Sequence, residues 1–351
     1  MAIDQQKLER FLGIAVNDLG AAISALLLHI GDKLGLYKAM ADAGPLTPKQ
    51  LAQKTGTAER YVREWLANQA AGGYVTYDAG QGTFTLSEEQ AFCLANEESP
   101  AFLPGGFETL TAVFASEPKL TAAFRSGEGV GWHEHDPRLF SGTERFFRPG
   151  YNAHLVSSWI PALDGVEDKL RRGAKVADVG CGYGASTRVM ASAFPNSKFF
   201  GFDYHGPSIE HARRIAAEAG LNGITFEPAG AKDFPGGDYD FVTFFDCLHD
   251  MGDPVGAARH VRQALKGDGT VMLVEPFAGN CLEDNLTPVG RVYYGFSTSV
   301  CTPASLSQEV GLALGAQAGE ARLRDLMKEA GFTRFRRATA TPFNLVLEVR
   351  P

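Results

Sequence analysis

The sequence predicts an α/β fold. A doubly wound, mostly parallel seven-stranded sheet with its last strand antiparallel stands behind an N-terminal helical winged-helix domain. Three observations predict it. From Lys175 onward, short apolar strands alternate with helices, which implies parallel strands joined by right-handed crossovers. The stretch VADVGCGYG, Val176 to Gly184, runs a strand into three glycines spaced two apart. Near the C-terminus, two strands are separated only by a few residues around Pro342, a hairpin that requires antiparallel pairing.

The elements follow in order. Residues 4–41 read as one or two helices, with Leu26, Leu27, Ile30, Leu34 and Tyr37 at helical spacing. That stripe packs either on the chain's own core or on a second subunit. LTPKQLAQKTG is a short helix begun by Thr47 and Pro48, and TAERYVREWLANQAAGG is a second one ending in glycines. YVTYD and TFTLS are two strands joined by AGQG. Helix, turn, helix and β-wing together resemble a winged helix.

Residues 100–165 read as several short helices, broken at Pro104–Gly106, Gly127–Gly131 and Pro149–Gly150 and dense in aromatics. Strands are expected at KVADV, KFFGF, ITFE, DFVTFF and TVMLVE, and helices at 185–194, 207–219 and 254–265. After a helix at 319–330, TRFRRAT and FNLVLEV form the hairpin. The expected organisation is a winged-helix and dimerisation domain over 1–100, a helical connector covering the site over 101–165, and the α/β domain over 166–351. Residues 277–318 form an insertion in that domain whose length suits a lid over an acceptor.

Composition bounds the function. A net charge of −8 argues against general affinity for nucleic acid or an anionic membrane. Five cysteines at scattered positions suggest neither a disulfide framework nor a structural zinc site, and a cytoplasmic location fits. MAIDQQKLER is too polar for a signal peptide. The apolar stretch Ala21–Ile30, broken by Ser24 and His29, is too short to span a bilayer.

The glycine turn admits two ligands. Gly180, Gly182 and Ala185 satisfy the dinucleotide pattern GxGxx[GA], which would make the chain an NAD-dependent oxidoreductase. Asp203, at the end of the next strand, suits ribose hydroxyls in either reading. Three features discriminate. Asp178 sits inside the strand end, where a carboxylate can receive bonds from loop amides and stand near a cation; a pyrophosphate gains little from it. The terminal hairpin is the second. FFDCLHD is the third, bringing Asp246, His249 and Asp250 to the same edge, where a carboxylate can bind an ammonium group.

On these residues, 166–351 resembles a class I S-adenosylmethionine-dependent methyltransferase domain, and with the winged helix the chain is similar to small-molecule O-methyltransferases. The resemblance implies S-adenosyl-L-methionine as cofactor. It implies that Gly180, Cys181 and Gly182 lie against its methionine part, and that Asp178 fixes the loop and neutralises the amino group. Asp203 would bind the ribose, Tyr204 would lie against adenine, and Asp246 would complete the cofactor site. After the third strand, Gly230–Ala231–Lys232–Asp233 replaces the family's Gly-Asp pair. Lys232 and Asp233 would then stand at the adenine amine, with Phe234 packed on the ring.

LHDMGD, residues 248–253, resembles the LHDW-x-D stretch of the plant phenolic type, with Met251 in place of tryptophan. There the histidine takes the acceptor proton. His249 thus has two open roles, general base or packing beneath the cofactor loop, with Asp250 and Glu275 available to orient it. Tyr151, His154, Arg291, Tyr293 and Tyr294 are candidates for lining the acceptor pocket. His133-Glu-His135 has a metal-like composition but reads as a surface loop, so no metal is expected.

A winged helix also invites a regulator that uses the methyltransferase fold to sense a ligand. The helix Thr57–Gln69 has Arg60 and Arg63 offset by Glu59 and Glu64, and the wing has no Lys or Arg. Nucleic acid is therefore not the expected partner. The expected function is methyl transfer to a small aromatic or apolar metabolite, preferably at oxygen. The expected assembly is a homodimer through the N-terminal helices, with no membrane partner.

Overall fold

The computed structural model of the chain describes residues 3–351. Two units divide it: one holds the residues up to Ala112 with Ser141–Pro149, the other Val113–Phe140 with Gly150–Pro351.

The first unit begins with α1 (Gln5–Lys33), capped by Asp4, and α2 (Leu36–Met40). Helix α3 (Pro48–Thr55) opens on a Thr47–Gln50 capping box with proline in its first turn, as the sequence implies. It is followed by α4 (Glu59–Ala71). Strands β1 (Thr76–Asp78) and β2 (Thr83–Thr85) pair antiparallel as the wing, and α5 (Glu88–Leu94) follows. Leu28, Tyr37, Leu51, Trp65, Leu66 and Phe84 form the core. The two polar tips buried there are satisfied: Tyr37 donates to Gln69 Oε1 at 2.5 Å, and Trp65 Nε1 donates to the Leu27 carbonyl at 2.8 Å.

Helix α1 departs from two expectations. Leu26, Ile30 and Leu34 face outward, while Ser24, Ala25, Leu28, His29 and Gly31 are buried. Spacing identifies a stripe but not which of two stripes meets the chain's own core. Ser24 and His29 interrupt the apolar run only in sequence. The helix continues through them for 29 residues, long and apolar enough to cross a membrane by length and composition.

The connecting helices also correct the sequence reading. Pro104 starts α6 (Pro104–Ala115) rather than breaking a helix, consistent with proline's tolerance in a first turn. Helix α7 (Glu117–Ser126) follows. Helix α8 (Arg138–His154) runs through Pro149–Gly150 without interruption and passes into a π-turn at Leu155–Trp159. A proline removes one backbone donor, and here the helix absorbs that loss.

The second unit continues with α9 (Val166–Arg172), β3 (Lys175–Val179), α10 (Ala185–Ala193), β4 (Lys198–Asp203) and α11 (Gly206–Glu218). Next come β5 (Ile224–Pro228), β6 (Tyr239–Phe245), α12 (Pro254–Ala264) and β7 (Leu265–Pro276). The insertion holds α13 (Pro288–Phe296), a π-turn at Ser297–Cys301 and α14 (Thr302–Leu306). Helix α15 (Gly319–Glu329) leads to β8 (Arg334–Ala340) and β9 (Asn344–Arg350). The strand order is β5-β4-β3-β6-β7-β9-β8. Strands β3 to β7 are mutually parallel, and β9 pairs antiparallel with both β7 and β8. Chain direction across the sheet reverses between β3 and β6, so the carboxyl ends of those strands flank a crevice. The core packs on the near-continuous apolar runs of β3, β6, β7 and β9.

Candidate functional site

The glycine turn lies at the carboxyl end of β3. Gly180, Gly182 and Gly184 all have positive φ, at 74°, 51° and 70°. Their surroundings differ. A Cβ on Gly180 would fall 2.7 Å from Cys247 Sγ, and one on Gly184 would fall 2.5 Å from Phe226. Nothing lies within 4 Å of the same position at Gly182. So Gly180 and Gly184 are required by protein packing, and Gly182 alone turns an open face outward.

Two aspartates hold the turn. Asp203, at the end of β4, accepts from the Gly182 N–H at 2.9 Å and the His205 N–H at 2.8 Å. Asp178 is buried within β3. It was expected to take bonds from loop amides, but its partners are hydroxyls instead. Ser186 and Thr187 donate to Oδ2 at 2.7 and 2.5 Å, and Thr243 donates to Oδ1 at 2.9 Å. It thereby ties β3 to the first turn of α10 and to β6. Burial pushes both carboxyls up despite these donors. Cys181 is buried beside Phe226 and Ile209, and burial pushes its thiol up as well.

The adenine-side expectations divide. Tyr204 is half exposed beside Asp203, and burial pushes its phenol up. The rings of His133 and Tyr204 meet edge to face at 6.3 Å, and Phe140 lies 4.6 Å from His205. His133-Glu-His135 is therefore not merely a surface loop. His135 is buried, with Nδ1 paired to Ser116 Oγ at 2.9 Å. Lys232 is engaged with Glu309 at 2.6 Å and Asp253 at 3.4 Å, and Asp233 is exposed. Phe234 lies in the core, stacked on Phe202 at 4.9 Å with His260 against its ring at 4.4 Å. The structure places that ring beneath the sheet edge rather than on a ligand face.

The tip of β6 carries the second cluster. Asp246 has a left-handed φ of 50°, which non-glycine residues adopt at a cost of about 1–2 kcal/mol. Its Oδ1 accepts from Asn344 Nδ2 at 2.9 Å, while its buried Oδ2 has no protein partner. Leu248–Asp250 form a single 3₁₀ turn, and Glu275 on β7 pins it. Glu275 accepts from the Leu248 N–H at 3.1 Å and binds His249 Nδ1. His249 Nε2 lies 3.0 Å from Asp250 Oδ1. Burial alone would drive the imidazole neutral, but the Glu275 and Asp250 carboxylates outweigh it and hold the proton on well above the usual range.

The insertion is fastened over this turn. Ser305 donates to the Met251 carbonyl at 2.8 Å, Gln308 donates to the Asp250 carbonyl at 3.1 Å, and the Leu312 N–H donates to the Gly252 carbonyl at 2.8 Å. Sequence reasoning missed Cys301, whose buried thiol is brought against His249 and Asp250 by the π-turn. A lone cysteine in a helical segment gives no signal of it.

The acceptor candidates are placed unevenly. Tyr151 is buried against Phe245 at 5.1 Å and Trp159 at 6.2 Å, and His154 stacks on Trp159 at 6.1 Å. Tyr293 donates to the Phe343 carbonyl at 2.7 Å and senses the charge of Asp246. Tyr294 is half-buried, and Arg291 is on the exposed side of α13.

Comparison with known proteins matches this architecture. Residues 21–96 match the model of the Rv2258c-like winged HTH domain, and residues 170–320 match that of a methyltransferase domain. The chain is 28% identical over 162 residues to a ubiquinone biosynthesis O-methyltransferase of Leptothrix cholodnii, which is 45% of this chain and 63% of that protein. The chain thus spans under two thirds of that relative's length. Among solved structures it is similar to mitomycin 7-O-methyltransferase, with a TM-score of 0.70 and 21% identity over 99% of this chain and 100% of that one. It is also similar to human N-acetylserotonin methyltransferase in complex with S-adenosylmethionine, with a TM-score of 0.69 and 17% identity over 100% and 99% of the two chains. These structures share its fold.

Proposed function

We propose that this chain, which carries a winged helix-turn-helix domain and a methyltransferase domain, transfers the methyl group of S-adenosylmethionine to a hydroxyl of a small aromatic or apolar metabolite. One observation carries the cofactor assignment. The carboxyl ends of the parallel strands β3, β4 and β6 carry Asp178, Asp203 and Asp246, with Asp203 bonded to the Gly182 N–H and the buried Asp246 Oδ2 without a hydrogen-bond partner. A sulfonium ligand with an ammonium group suits that edge; a pyrophosphate does not.

In this reading Asp203 binds the ribose hydroxyls, Tyr204 lies beside adenine, and Asp246 meets the methionine amino group. The acceptor enters beneath the insertion, near Tyr151 and Tyr293. Its proton leaves at the His249 cluster, where Glu275 fixes the ring through Nδ1 and Asp250 must yield Nε2 to the acceptor. Positioning the oxygen opposite the sulfonium supplies much of the acceleration. The two O-methyltransferases named above, the ubiquinone biosynthesis enzyme and mitomycin 7-O-methyltransferase, support oxygen as the methylated atom.

The winged helix serves assembly. Its two arginines are already neutralised on their own helix, Arg60 by Glu64 and Arg63 by Glu59. The exposed face of α1 is the surface through which two copies pair. Five free cysteines fit a reducing cytoplasm.

Calorimetric titration with S-adenosylmethionine, S-adenosylhomocysteine and NAD tests the assignment. Binding of the first two is expected; binding of NAD alone overturns it. A gel shift at low salt tests the winged helix, and sequence-selective DNA binding would favour a regulator.

A further inference from the structure

The terminal hairpin reaches the ligand edge of the sheet with one side chain. Asn344 opens β9, opposite Pro276 at the end of β7. It is buried, and its Nδ2 donates to Asp246 Oδ1 at 2.9 Å. Strand β7 lies between β6 and β9, so this bond bridges its end. The Asp246 N–H donates to the Val274 carbonyl of β7 at 2.8 Å. Asp246 is thus fixed to β7 by its backbone and to β9 by its side chain. Only Oδ2 is left, buried and without a hydrogen-bond partner. A carboxylate oxygen left open on a residue of left-handed φ marks a position that a ligand completes.

Asn344 is itself held on both sides. Its N–H donates to Thr341 Oγ1 and its carbonyl accepts from the Thr341 N–H, both at 2.9 Å. The preceding carbonyl, that of Phe343, accepts from the Phe277 N–H at 2.8 Å and from the Tyr293 hydroxyl at 2.7 Å. The donor is therefore in place before any ligand arrives. We propose that Asn344 is the positioning residue of the cofactor site, holding Asp246 Oδ1 so that Oδ2 receives the ammonium group of S-adenosylmethionine. The proposal rests on reading Asp246 as the contact of the methionine amino group, and it gives the C-terminal hairpin a part in binding.

The chemistry calls for a neutral donor here. Burial pushes the Asp246 carboxyl up, and the Glu275 and Asp250 carboxylates add to that push; the charge of His249 and the Asn344 hydrogen bond oppose it. The Tyr293 phenol also senses Asp246. A lysine or arginine in place of Asn344 would favour the carboxylate too, but it would cancel the charge that attracts the ligand. An amide N–H favours the ionised form and leaves its charge for the ammonium. Without that donor the carboxyl holds its proton to a higher pH and attracts no cation while it does.

The test uses the full chain and two ligands, S-adenosylhomocysteine and methylthioadenosine, which lacks the amino-acid part. Asn344→Leu is close in size but has no donor. It should weaken S-adenosylhomocysteine about tenfold to a hundredfold in calorimetry. It should bind methylthioadenosine as the native protein does. Its affinity for S-adenosylhomocysteine should recover toward the native value as the pH rises across the neutral range. Asn344→Ser keeps a donor and should regain part of the loss. Thermal unfolding without ligand checks that Asn344→Leu is folded, and Asn344→Ser carries the same comparison if it is not. Unchanged binding of S-adenosylhomocysteine overturns the proposal. Equal weakening of both ligands with no recovery at higher pH also overturns it, since that marks Asn344 as structural. Asp246→Asn separates the two ideas. If it weakens S-adenosylhomocysteine while Asn344→Leu does not, the positioning role alone fails; if the native protein binds neither ligand, the methyltransferase reading fails.

Discussion

Asp203 at the end of β4 accepts a 2.9 Å hydrogen bond from the Gly182 N–H in the turn after β3, so one carboxylate fixes the loop that it would share with the ligand. A hydrogen bond to a charged group is worth about 1.5–3 kcal/mol. Asp203→Asn keeps an acceptor for Gly182 but loses the charge toward the ribose. Its dissociation constant for S-adenosylmethionine should rise about tenfold to a hundredfold, measured by calorimetry. An unchanged constant would place the ribose elsewhere.

The three glycines of the turn should separate into two kinds. Gly184→Ala combines a left-handed φ with a contact of 2.5 Å on the buried Phe226 ring, and should lower stability by about 2–5 kcal/mol. Gly182→Ala meets no protein atom and should lose only about 1–2 kcal/mol. Its added methyl points into the open face, so its main effect should be weaker cofactor binding. Denaturant titration and calorimetry on both variants check the contrast; equal effects in both assays would contradict it.

Asp178 predicts a pH dependence. Burial raises its carboxyl above the ordinary value of 3.8, so between that value and the raised one the folded state binds more protons than the unfolded state. Stability from this group is full below 3.8 and is lost as the pH climbs through the raised value. Asp178→Asn has no such titration. The stability of the native protein relative to this variant should therefore increase on acidification and level off below the unfolded value. Denaturation curves at stepped pH measure the difference, and an opposite slope would mean that a cation stabilises the carboxylate.

Much of the α/β unit was legible because its strands are short apolar runs and its turns are glycines with one conformation each. VADVGCGYG and the Pro342 hairpin locate β3 and the antiparallel edge from local sequence alone. The side-chain contacts of the site were not legible, because they join distant segments. Thr243 reaches Asp178 from a neighbouring strand, and Cys301 reaches His249 from the insertion. The resemblance put Phe234 on the adenine ring, yet Phe202 and His260 enclose it. Helical spacing located a stripe on α1 but could not say which face meets the core.

That outward face gives the last prediction. Leu12, Val16, Leu19, Ile23, Leu26 and Ile30 alternate by four and three residues, the spacing of a seam that wants a partner helix, and all are exposed. Leu19 and Ile23 are 70% and 60% accessible at its centre. A bilayer is the competing occupant. Asn17 and Asp18 fall in the middle of the apolar length, and an aspartate within hydrocarbon costs about 2.5–3.5 kcal/mol. The second half of the helix also gives its other face to its own unit, through Ser24, Ala25, Leu28 and His29. A second copy satisfies both facts. Burying the two central side chains stabilises the pair by about 3–6 kcal/mol, so Leu19→Asp with Ile23→Asp should convert a dimer into a monomer in sedimentation equilibrium. Thermal unfolding of the second unit should be unaffected by the pair of changes. A native protein that is already monomeric, or one that floats with phosphatidylcholine vesicles, would reject the dimer seam.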